Sequence, residues 1–210
     1  AAGFALSSVY DRQGNRKYLT NQERRAFLEA STDFDPEVEA FCLVLAYSGA
    51  RISEVLSLCD THIDLDSNAI IINCLKKRRT GVYRAIPMPS RVTERLDSIF
   101  ALSVRRRAQN LRDPRKLWSW GRTTGWLRVK SVMNKGNIVG PQATPKALRH
   151  TLAVTALQSG VPLNLVSRWL GHSRLSTTAI YANAVGEEER SFAKPLWESF
   201  CPGPTAAEPV

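Results

Sequence analysis

The sequence lacks the features that mark secreted, disulfide-held and membrane proteins. Its 210 residues include four cysteines, and no two of them form a CxxC pair. Cys42, Cys59 and Cys74 lie in apolar runs, where buried thiols are common. No charge-free stretch reaches the ~20 residues that a membrane-spanning helix needs, and no apolar block follows a basic N-terminal segment. We therefore expect a protein of the reducing cytoplasm, without a disulfide scaffold, a zinc ribbon or a membrane segment.

Metal-binding and nucleotide-binding motifs are also missing. Residues 64–68 (DLDSN) begin like a calcium-binding loop, but Ala69 stands where the loop needs glycine and Leu75 where it needs a bidentate carboxylate. His62 has no further ligand at a metal-binding spacing. The P-loop, dinucleotide-binding and HExxH patterns do not occur. The sequence thus predicts no metal and no cofactor.

The excess of positive charge is the most informative part of the composition. The chain is 43% apolar, as in one globular domain, and it carries a formal net charge of +10. Residues 76–130 hold 16 basic residues and three acidic ones, so this segment carries +13 and the rest of the chain −3. Such a concentration predicts a polyanionic partner, either nucleic acid or a membrane surface. A solvated basic face is the alternative that composition leaves open.

Capping residues and apolar periodicity predict a mainly α-helical protein with a small antiparallel β-sheet. The capping box of Thr20 and Glu23 predicts a helix as far as Ala30. Further helices are predicted over residues 36–48, 51–58, 90–107, 124–133, 145–160, 162–171 and from 173 or 176 to 185. Two β-rich runs, 70–75 and 82–86, flank KKRRTG and predict a hairpin with a basic tip.

The domain organisation follows from the same reading. We expect residues 1–17 to be an N-terminal extension or linker and residues 18–185 to form one domain. Residues 186–210 sum to −3 and are expected to form a C-terminal tail, with a helix able to dock on a neighbouring protomer before a disordered end.

Several polar residues stand where helix ends do not favour them. Arg51 begins one predicted helix, and Lys146 and Arg149 share a face in the first turn of another. A cation at a helix N-terminus costs from a few tenths to ~1 kcal/mol, which a bound anion would offset. Taken singly, these side chains could simply reach water. Taken singly, His172 suits a partner of a helix C-terminus, and Tyr181 suits a core tyrosine.

Together these residues form an ordered pattern. The segments are SGARISEVLSL, the basic hairpin after IIINCLK, TPKALRHTLAVTALQSGVPLNLVSRWLGH and STTAIYAN. Arg149 and His172 are 23 residues apart, and Tyr181 follows nine residues later. In content, order and spacing, from about residue 18 to residue 185, the chain resembles the catalytic domain of tyrosine recombinases, the phage integrase family.

The resemblance implies a site-specific recombinase that cleaves and rejoins double-stranded DNA through a 3′-phosphotyrosine, during integration, excision or inversion of a DNA element. It implies that Tyr181 is the nucleophile and that Arg51 and Arg149 bind the scissile phosphate, as guanidinium groups suit bidentate phosphate contacts. It also implies that Lys76 protonates the leaving 5′ oxygen, with Lys77 as the alternative. His172 is expected to hydrogen-bond the phosphate and to help move the tyrosine proton. A homo-oligomer assembled on DNA at the cytoplasmic nucleoid is expected.

One position departs from the family pattern, which usually has His-x-x-Arg. This chain has Lys146-Ala-Leu-Arg149. A charged lysine can donate a proton but not accept one, so we expect Lys146 to contact phosphate rather than act as a base. His150 lies ~100° further round the helix, and we expect it to be structural.

Two other functions compete with the recombinase. Residues 152–181 resemble a helix-turn-helix with Gly160 in the turn, which would make the protein a non-catalytic DNA-binding regulator. That interpretation explains the charge, but not Arg51, Lys76 and Tyr181 at their spacing. A type IB topoisomerase shares the nucleophile and the arginine chemistry, but the short chain and the spacing from LGH to Tyr181 disfavour it.

Overall fold

The computed structural model describes residues 9–74, 81–108 and 113–183. The α-helices in these ranges are α1 Asn21–Ser31, α2 Pro36–Ser48, α3 Ile52–Leu56, α4 Ser90–Phe100, α5 Leu102–Arg107, α6 Arg122–Lys135, α7 Pro145–Gln158, α8 Leu163–Leu170 and α9 Ser176–Ala179. Short 3₁₀ turns cover Asp60–His62 and Ile180–Asn183. The strands are β1 Ile63–Asp64, β2 Ala69–Asn73 and β3 Tyr83–Pro87. The predicted fold class, mainly α with a small antiparallel sheet, is confirmed.

The sheet has the order β1-β2-β3, and both of its pairings are antiparallel. In the predicted hairpin, Ile70 pairs with Ile86 and Asn73 with Tyr83. Side chains alternate across β3, so that Arg84 shares the buried face with Ile86. The tip of the hairpin, residues 75–80, lies outside the described residues, and with it the candidates Lys76 and Lys77.

The apolar interior has two parts that meet at α7. The larger part surrounds α2, where Phe41 packs edge-to-face on Trp118 with ring centroids 5.2 Å apart. The smaller part contains Val154 of α7, Leu170 of α8 and Tyr181. Since α7 touches both parts, its polar residues are held at the boundary between them.

Two glycines end helices beside this boundary. Gly49 ends α2 with φ 58° and Gly171 ends α8 with φ 67°, both in the left-handed region. A Cβ added to Gly49 would lie 2.6 Å from Leu152 Cδ2, and one added to Gly171 would lie 3.0 Å from Arg84 Nη1. Both positions therefore need glycine for conformation and for space.

Two predicted helices differ from the observed ones. The single helix expected over residues 90–107 is wrong, because Ala101 adopts φ 52° and divides it into α4 and α5. The break is stabilised by Asp97 Oδ1, which accepts a hydrogen bond from the Ser103 amide at 2.7 Å. The helix expected from 173 or 176 to 185 is described as far as residue 183, and there it is only the single turn of α9, which tightens at once into 3₁₀ geometry and buries Tyr181.

The remaining predictions fall within a few residues of the observed bounds. In α1 the predicted capping box is present, with the Glu23 amide donating to Thr20 Oγ1 at 3.1 Å and the Thr20 amide donating to Glu23 Oε2 at 2.7 Å. Among the described cysteines, Cys42 and Cys74 are buried and Cys59 is half-buried, and all three are free thiols. Within the described ranges, no helix has both the length and the apolar composition to cross a membrane.

Candidate active site

Arg149 occupies the centre of the site. It projects from the second turn of α7 and is 7% exposed. Its Nη1 donates to the carbonyl oxygen of Gly49 at 2.8 Å, and its Nη2 donates to that of Leu170 at 2.6 Å. These carbonyls lie at the C-terminal ends of α2 and α8, where a positive charge is favourable. Burial, together with the charge of Arg51, lowers the pKa of Arg149 to about 10, so the guanidinium is still charged at neutral pH.

Arg51 is fixed by a carboxylate that also binds a second arginine. Glu54, 1% exposed, accepts a hydrogen bond from Arg51 Nη1 on Oε1 at 3.0 Å and one from Arg84 Nη2 on Oε2 at 2.8 Å. The backbone amide of Arg51 also donates to Glu54 Oε2 at 2.8 Å. The Arg51 side chain stays 30% exposed, whereas that of Arg84 is 4% exposed. The Glu54 carboxylate thus fixes Arg51 at the start of α3 while leaving part of the Arg51 guanidinium accessible.

The charges of this cluster do not cancel. Burial alone would raise the pKa of Glu54, but hydrogen bonds and charge from Arg84 and Arg51 outweigh burial and lower it, so Glu54 is ionised. With Arg149, the group holds three guanidinium ions against one carboxylate. Arg84 is further held by Nε, which donates to the Trp169 carbonyl at 2.7 Å, and by Nη1, which lies 3.1 Å from Cys74 Sγ. The cluster is therefore a fixed, net positive site for an anion.

His172 completes this side of the site from the loop after α8. Its Nδ1 lies 2.8 Å from Thr178 Oγ1 of α9. Burial and the charges of Arg149, Arg51 and Arg84 lower the pKa of His172 to about 4. The imidazole is therefore neutral at neutral pH, and it offers a hydrogen bond rather than a charge.

Tyr181 lies in the 3₁₀ turn that follows α9 and packs against α7. It is 4% exposed, and its Oη lies 2.7 Å from His150 Nδ1. Burial raises the pKa of Tyr181, and the charges of Arg149 and Arg51 act in the opposite direction. The hydroxyl thus lies within electrostatic range of both arginines while it is hydrogen-bonded to His150.

The sequence-predicted residues are largely brought together. Arg51, Arg149, His172 and Tyr181 surround the junction of α3, α7, α8 and the 3₁₀ turn. Lys146 is exposed on the first turn of α7, close enough for its charge to lower the pKa of His150. The sixth candidate, Lys76, lies outside the described residues.

A cavity of about 350 Å³ opens beside this junction, between β3 and α8. Its wall includes Cys74, Tyr83, Arg84, Gly171, His172 and Leu175. Because the glycine lacks a side chain, Arg84 and His172 border one continuous space. In the described part of the chain, no cluster of three His, Cys, Asp or Glu side chains could hold a metal ion.

Sequence reasoning missed three residues of the site. Glu54 stands three residues after Arg51 and accepts a hydrogen bond from its amide, but arginine cannot accept the reciprocal bond, so the sequence lacked a full capping-box signal there. Arg84 stands two residues before the apolar Ile86 in a predicted strand, so alternation could have placed it on the buried face. His150 was expected to be structural because it faces away from Arg149, but that direction places it against Tyr181.

Comparison with known proteins shows which family the sequence matches. The sequence matches the phage integrase family over residues 17–188. It is 28% identical over 183 residues to tyrosine recombinase XerA from Thermococcus onnurineus (strain NA1), covering 83% of this chain and 60% of that protein.

Solved structures show that the fold is shared as well. The crystal structure of XerA recombinase superposes with a TM-score of 0.69 at 25% identity, over 85% of this chain and 64% of that chain. XerH site-specific recombinase bound to a palindromic difH substrate, in a post-cleavage complex, gives a TM-score of 0.70 at 23% identity, over 93% and 57% of the two chains. The present chain thus spans about three fifths of the length of the relatives that it matches.

Proposed function

We propose, from the premise that this chain belongs to the phage integrase family, that it cleaves and rejoins DNA at specific sites through a covalent link to Tyr181. The observation that carries the proposal is the convergence of Arg51, Arg149 and His172 next to a buried tyrosine hydroxyl. A phosphodiester has a negative charge for the arginines and a phosphorus atom for the hydroxyl to attack.

The reaction is a transesterification. Tyr181 Oη attacks the phosphorus, a bond from phosphorus to the tyrosine oxygen forms, and the bond from phosphorus to the 5′ oxygen breaks. The phenol loses its proton and the 5′ oxygen gains one, so no co-reactant is consumed. The 3′-phosphotyrosine conserves the phosphodiester energy, and a 5′ hydroxyl from another strand reverses the step to complete strand exchange.

Arg51 and Arg149 stabilise the charge that develops on the non-bridging phosphate oxygens. A guanidinium can donate two parallel hydrogen bonds to such oxygens. Both groups are held in place before substrate arrives, Arg51 by Glu54 and Arg149 by two carbonyl oxygens. The site therefore needs little reorganisation as the transition state forms.

His172, Lys146 and Lys76 have supporting roles in the proposal. The low pKa of His172 keeps its imidazole neutral. The ring N–H of this neutral imidazole donates a hydrogen bond to the phosphate. The exposed Lys146 ammonium contacts the same phosphate from the first turn of α7. Lys76, or its neighbour Lys77, protonates the leaving 5′ oxygen.

Double-stranded DNA is the proposed partner, and copies of the chain assemble on it at the nucleoid. Of the basic residues in the segment 76–130, Arg84, Arg95 and Arg105 are ion-paired within the protein and are not free to neutralise phosphate. The remaining basic residues of the segment are enough to neutralise ~6 phosphates. The plot of log affinity against log salt concentration should then have a slope of about −5. A slope shallower than about −2 would indicate a solvated basic face instead.

The decisive experiment traps the covalent intermediate on a pool of randomised DNA duplexes, each with one nick. A nick lets the short 5′ product diffuse away, so that the adduct accumulates. We expect an adduct with the wild-type protein and none with Tyr181→Phe, while DNA binding stays within a few-fold. Tyr47→Phe is the matched control, because it removes another phenol, one that bonds Arg91 outside the site.

Each contrary outcome points to a different function. An adduct that survives Tyr181→Phe and maps to another residue removes Tyr181 from the mechanism. DNA binding without any wild-type adduct favours the non-catalytic regulator. Relaxation of supercoiled plasmid that lacks any selected site favours a topoisomerase.

A further inference from the structure

We propose that His150 is the general base for Tyr181, and that its Nδ1 takes the phenolic proton as Oη attacks the phosphate. The proposal rests on the recombinase function above and assigns it one further catalytic residue. In this chain Lys146 stands where the family pattern has histidine. A different residue is therefore needed to accept the phenolic proton.

The geometry is that of a nucleophile and its base. His150 Nδ1 and Tyr181 Oη lie 2.7 Å apart, within the ~2.6–3.2 Å range that such pairs show. The two rings are tilted against each other with centroids 5.4 Å apart. Both residues are buried, at 8% and 4% exposure, so the hydrogen bond is shielded from competition by water.

The hydrogen bond has a preferred direction. A phenol is a stronger acid than the N–H of a neutral imidazole, so Oη donates and Nδ1 accepts. The imidazole proton is then on Nε2, which is buried and has no hydrogen-bond partner among the described residues. An unsatisfied buried donor is uncommon in folded proteins, and a catalytic role is one of the explanations for such a group.

The surroundings keep His150 unprotonated until DNA binds. Burial and the positive charges of Lys146, Arg149 and Lys17 lower its pKa to about 4, and His172 adds to them only when it is itself protonated. A neutral imidazole is the form that can accept a proton. A phosphodiester bound at Arg149 brings negative charge that opposes these cations, and it therefore raises the proton affinity of His150 when the reaction needs it.

Lys146 and His150 lie one helical turn apart on α7, so they share a face. The lysine supplies charge to the phosphate, and the histidine supplies a site for the proton. In the cleavage step the Oη–H bond breaks and an N–H bond forms at Nδ1. In the rejoining step the imidazolium returns that proton to the departing tyrosine oxygen, so the protein ends in its starting state.

The test measures single-turnover cleavage of a nicked duplex chosen from the pool described above. His150→Asn keeps a side-chain oxygen near the position of Nδ1 but cannot accept a proton, and we expect it to cleave ~100-fold more slowly than the wild type. His62→Asn is the matched control, since His62 Nδ1 also accepts a hydrogen bond, from the Cys59 amide at 3.0 Å, outside the site. We expect the control to keep the wild-type rate.

A second measurement separates proton transfer from simple support of the fold. Difluorotyrosine incorporated at position 181 has a more acidic phenol and needs no base. In proteins that carry it, the cleavage rate with His150→Asn should lie within a few-fold of the rate with His150. In the pH profile, the wild-type rate should level off above the pKa of His150 in the complex. The rate of the variant should instead continue to rise toward the pKa of the phenol.

The outcomes are distinct. A His150→Asn rate within a few-fold of wild type overturns the proposal, and so does a slow variant that difluorotyrosine does not restore. If His150→Asn lacks a cooperative thermal transition, His150→Gln is measured by the same criteria. If the wild-type protein itself forms no adduct, the recombinase function fails before any variant is compared, and the proposal about His150 fails with it.

Discussion

The two halves of the site are built differently. The arginine cradle (Arg51, Glu54, Arg84 and Arg149) is fixed by buried hydrogen bonds that join α2, α3, β3, α7 and α8. The tyrosine segment (residues 176–183) is one turn of α-helix followed by a 3₁₀ turn. Side-chain hydrogen bonds that join this segment to the rest of the site include those of His150 to Tyr181 and of His172 to Thr178.

The difference shows how binding and chemistry divide the site. The cradle can hold a phosphate without rearrangement, because its charges are already positioned by the core. Tyr181 belongs to a short element in which Ser176, Thr177 and Ala179 are exposed while Thr178, Ile180 and Tyr181 are buried. Short elements open at lower cost than the central helices. Damage to the cradle should therefore affect the fold, whereas damage to the tyrosine segment should affect the reaction.

The largest effect is expected from Glu54→Ala. The change leaves Arg84, 4% exposed, without its carboxylate, and breaking a buried ion pair in this way costs about 3–5 kcal/mol. Urea denaturation should show this loss in the free energy of unfolding. Glu94→Ala, at an exposed position of α4, is the control and should lie within about 0.5 kcal/mol of wild type. A loss below about 1 kcal/mol for Glu54→Ala would mean that the cradle is not held by its ion pairs.

The next effect tests Lys146, which lies between the two halves. Lys146→Ala should lose about 1.5–3 kcal/mol of transition-state stabilisation, the scale of a charge-assisted hydrogen bond. Lys146→Arg should keep substantial cleavage, because both charge and reach survive. Single-turnover rates against pH for both proteins and for Lys146→His decide the role. If arginine is as inactive as alanine while histidine is fully active, Lys146 rather than His150 is the base.

A smaller effect is expected in the pH dependence of stability. The pKa of His150 and of His172 is about 4 in the folded protein, against an ordinary value of 6.5. Because the folded pKa values are depressed, the unfolded chain binds protons more strongly than the folded chain between pH 6.5 and pH 4. The contribution of the two neutral histidines to the free energy of unfolding is therefore complete above pH 6.5 and is lost as the pH falls toward 4. For buried His150 the slope is at most about 1.4 kcal/mol per pH unit. Denaturation midpoints measured between pH 4 and 7 should be less pH-dependent in His150→Asn, and an unchanged slope would contradict this assignment.

The smallest effect is expected on the stability of Tyr181→Phe. The ring and its packing remain, and the only loss is the hydrogen bond to His150, worth about 1 kcal/mol. Thermal and urea denaturation should place the variant within that margin of wild type. A loss as large as that of Glu54→Ala would show that the tyrosine segment is as integral to the fold as the cradle.

Local signals in the sequence predicted most of the helices. The capping box at Thr20 and the terminating residues Gly49 and Gly171 act over a few residues, so their effect can be read without the fold. The break at Ala101 could not be read, because alanine is a strong helix former and the left-handed turn depends on Asp97 capping the next helix.

The site was predicted in part for a similar reason. The resemblance to tyrosine recombinases named Arg51, Arg149, His172 and Tyr181, and the structure brings these four side chains to one junction, while their roles stay predictions. The contact of Arg84 with Glu54 joins residues 30 apart, and that of His150 with Tyr181 joins residues 31 apart. Such contacts depend on how β3 meets α3 and on the 3₁₀ turn under α7, and no local pattern specifies either.

The double attachment of Arg149 has a consequence for how such a gene decays. The guanidinium that we propose binds phosphate also satisfies the carbonyls of Gly49 and Leu170, so its loss would leave two polar groups unsatisfied at helix ends. A descendant freed from selection for recombination, but kept for its shape, would lose Tyr181 early and Arg149 late. On the proposed function, an intact arginine in sequences that descend from this one is evidence that the protein still folds, and only an intact tyrosine is evidence that it still cuts DNA.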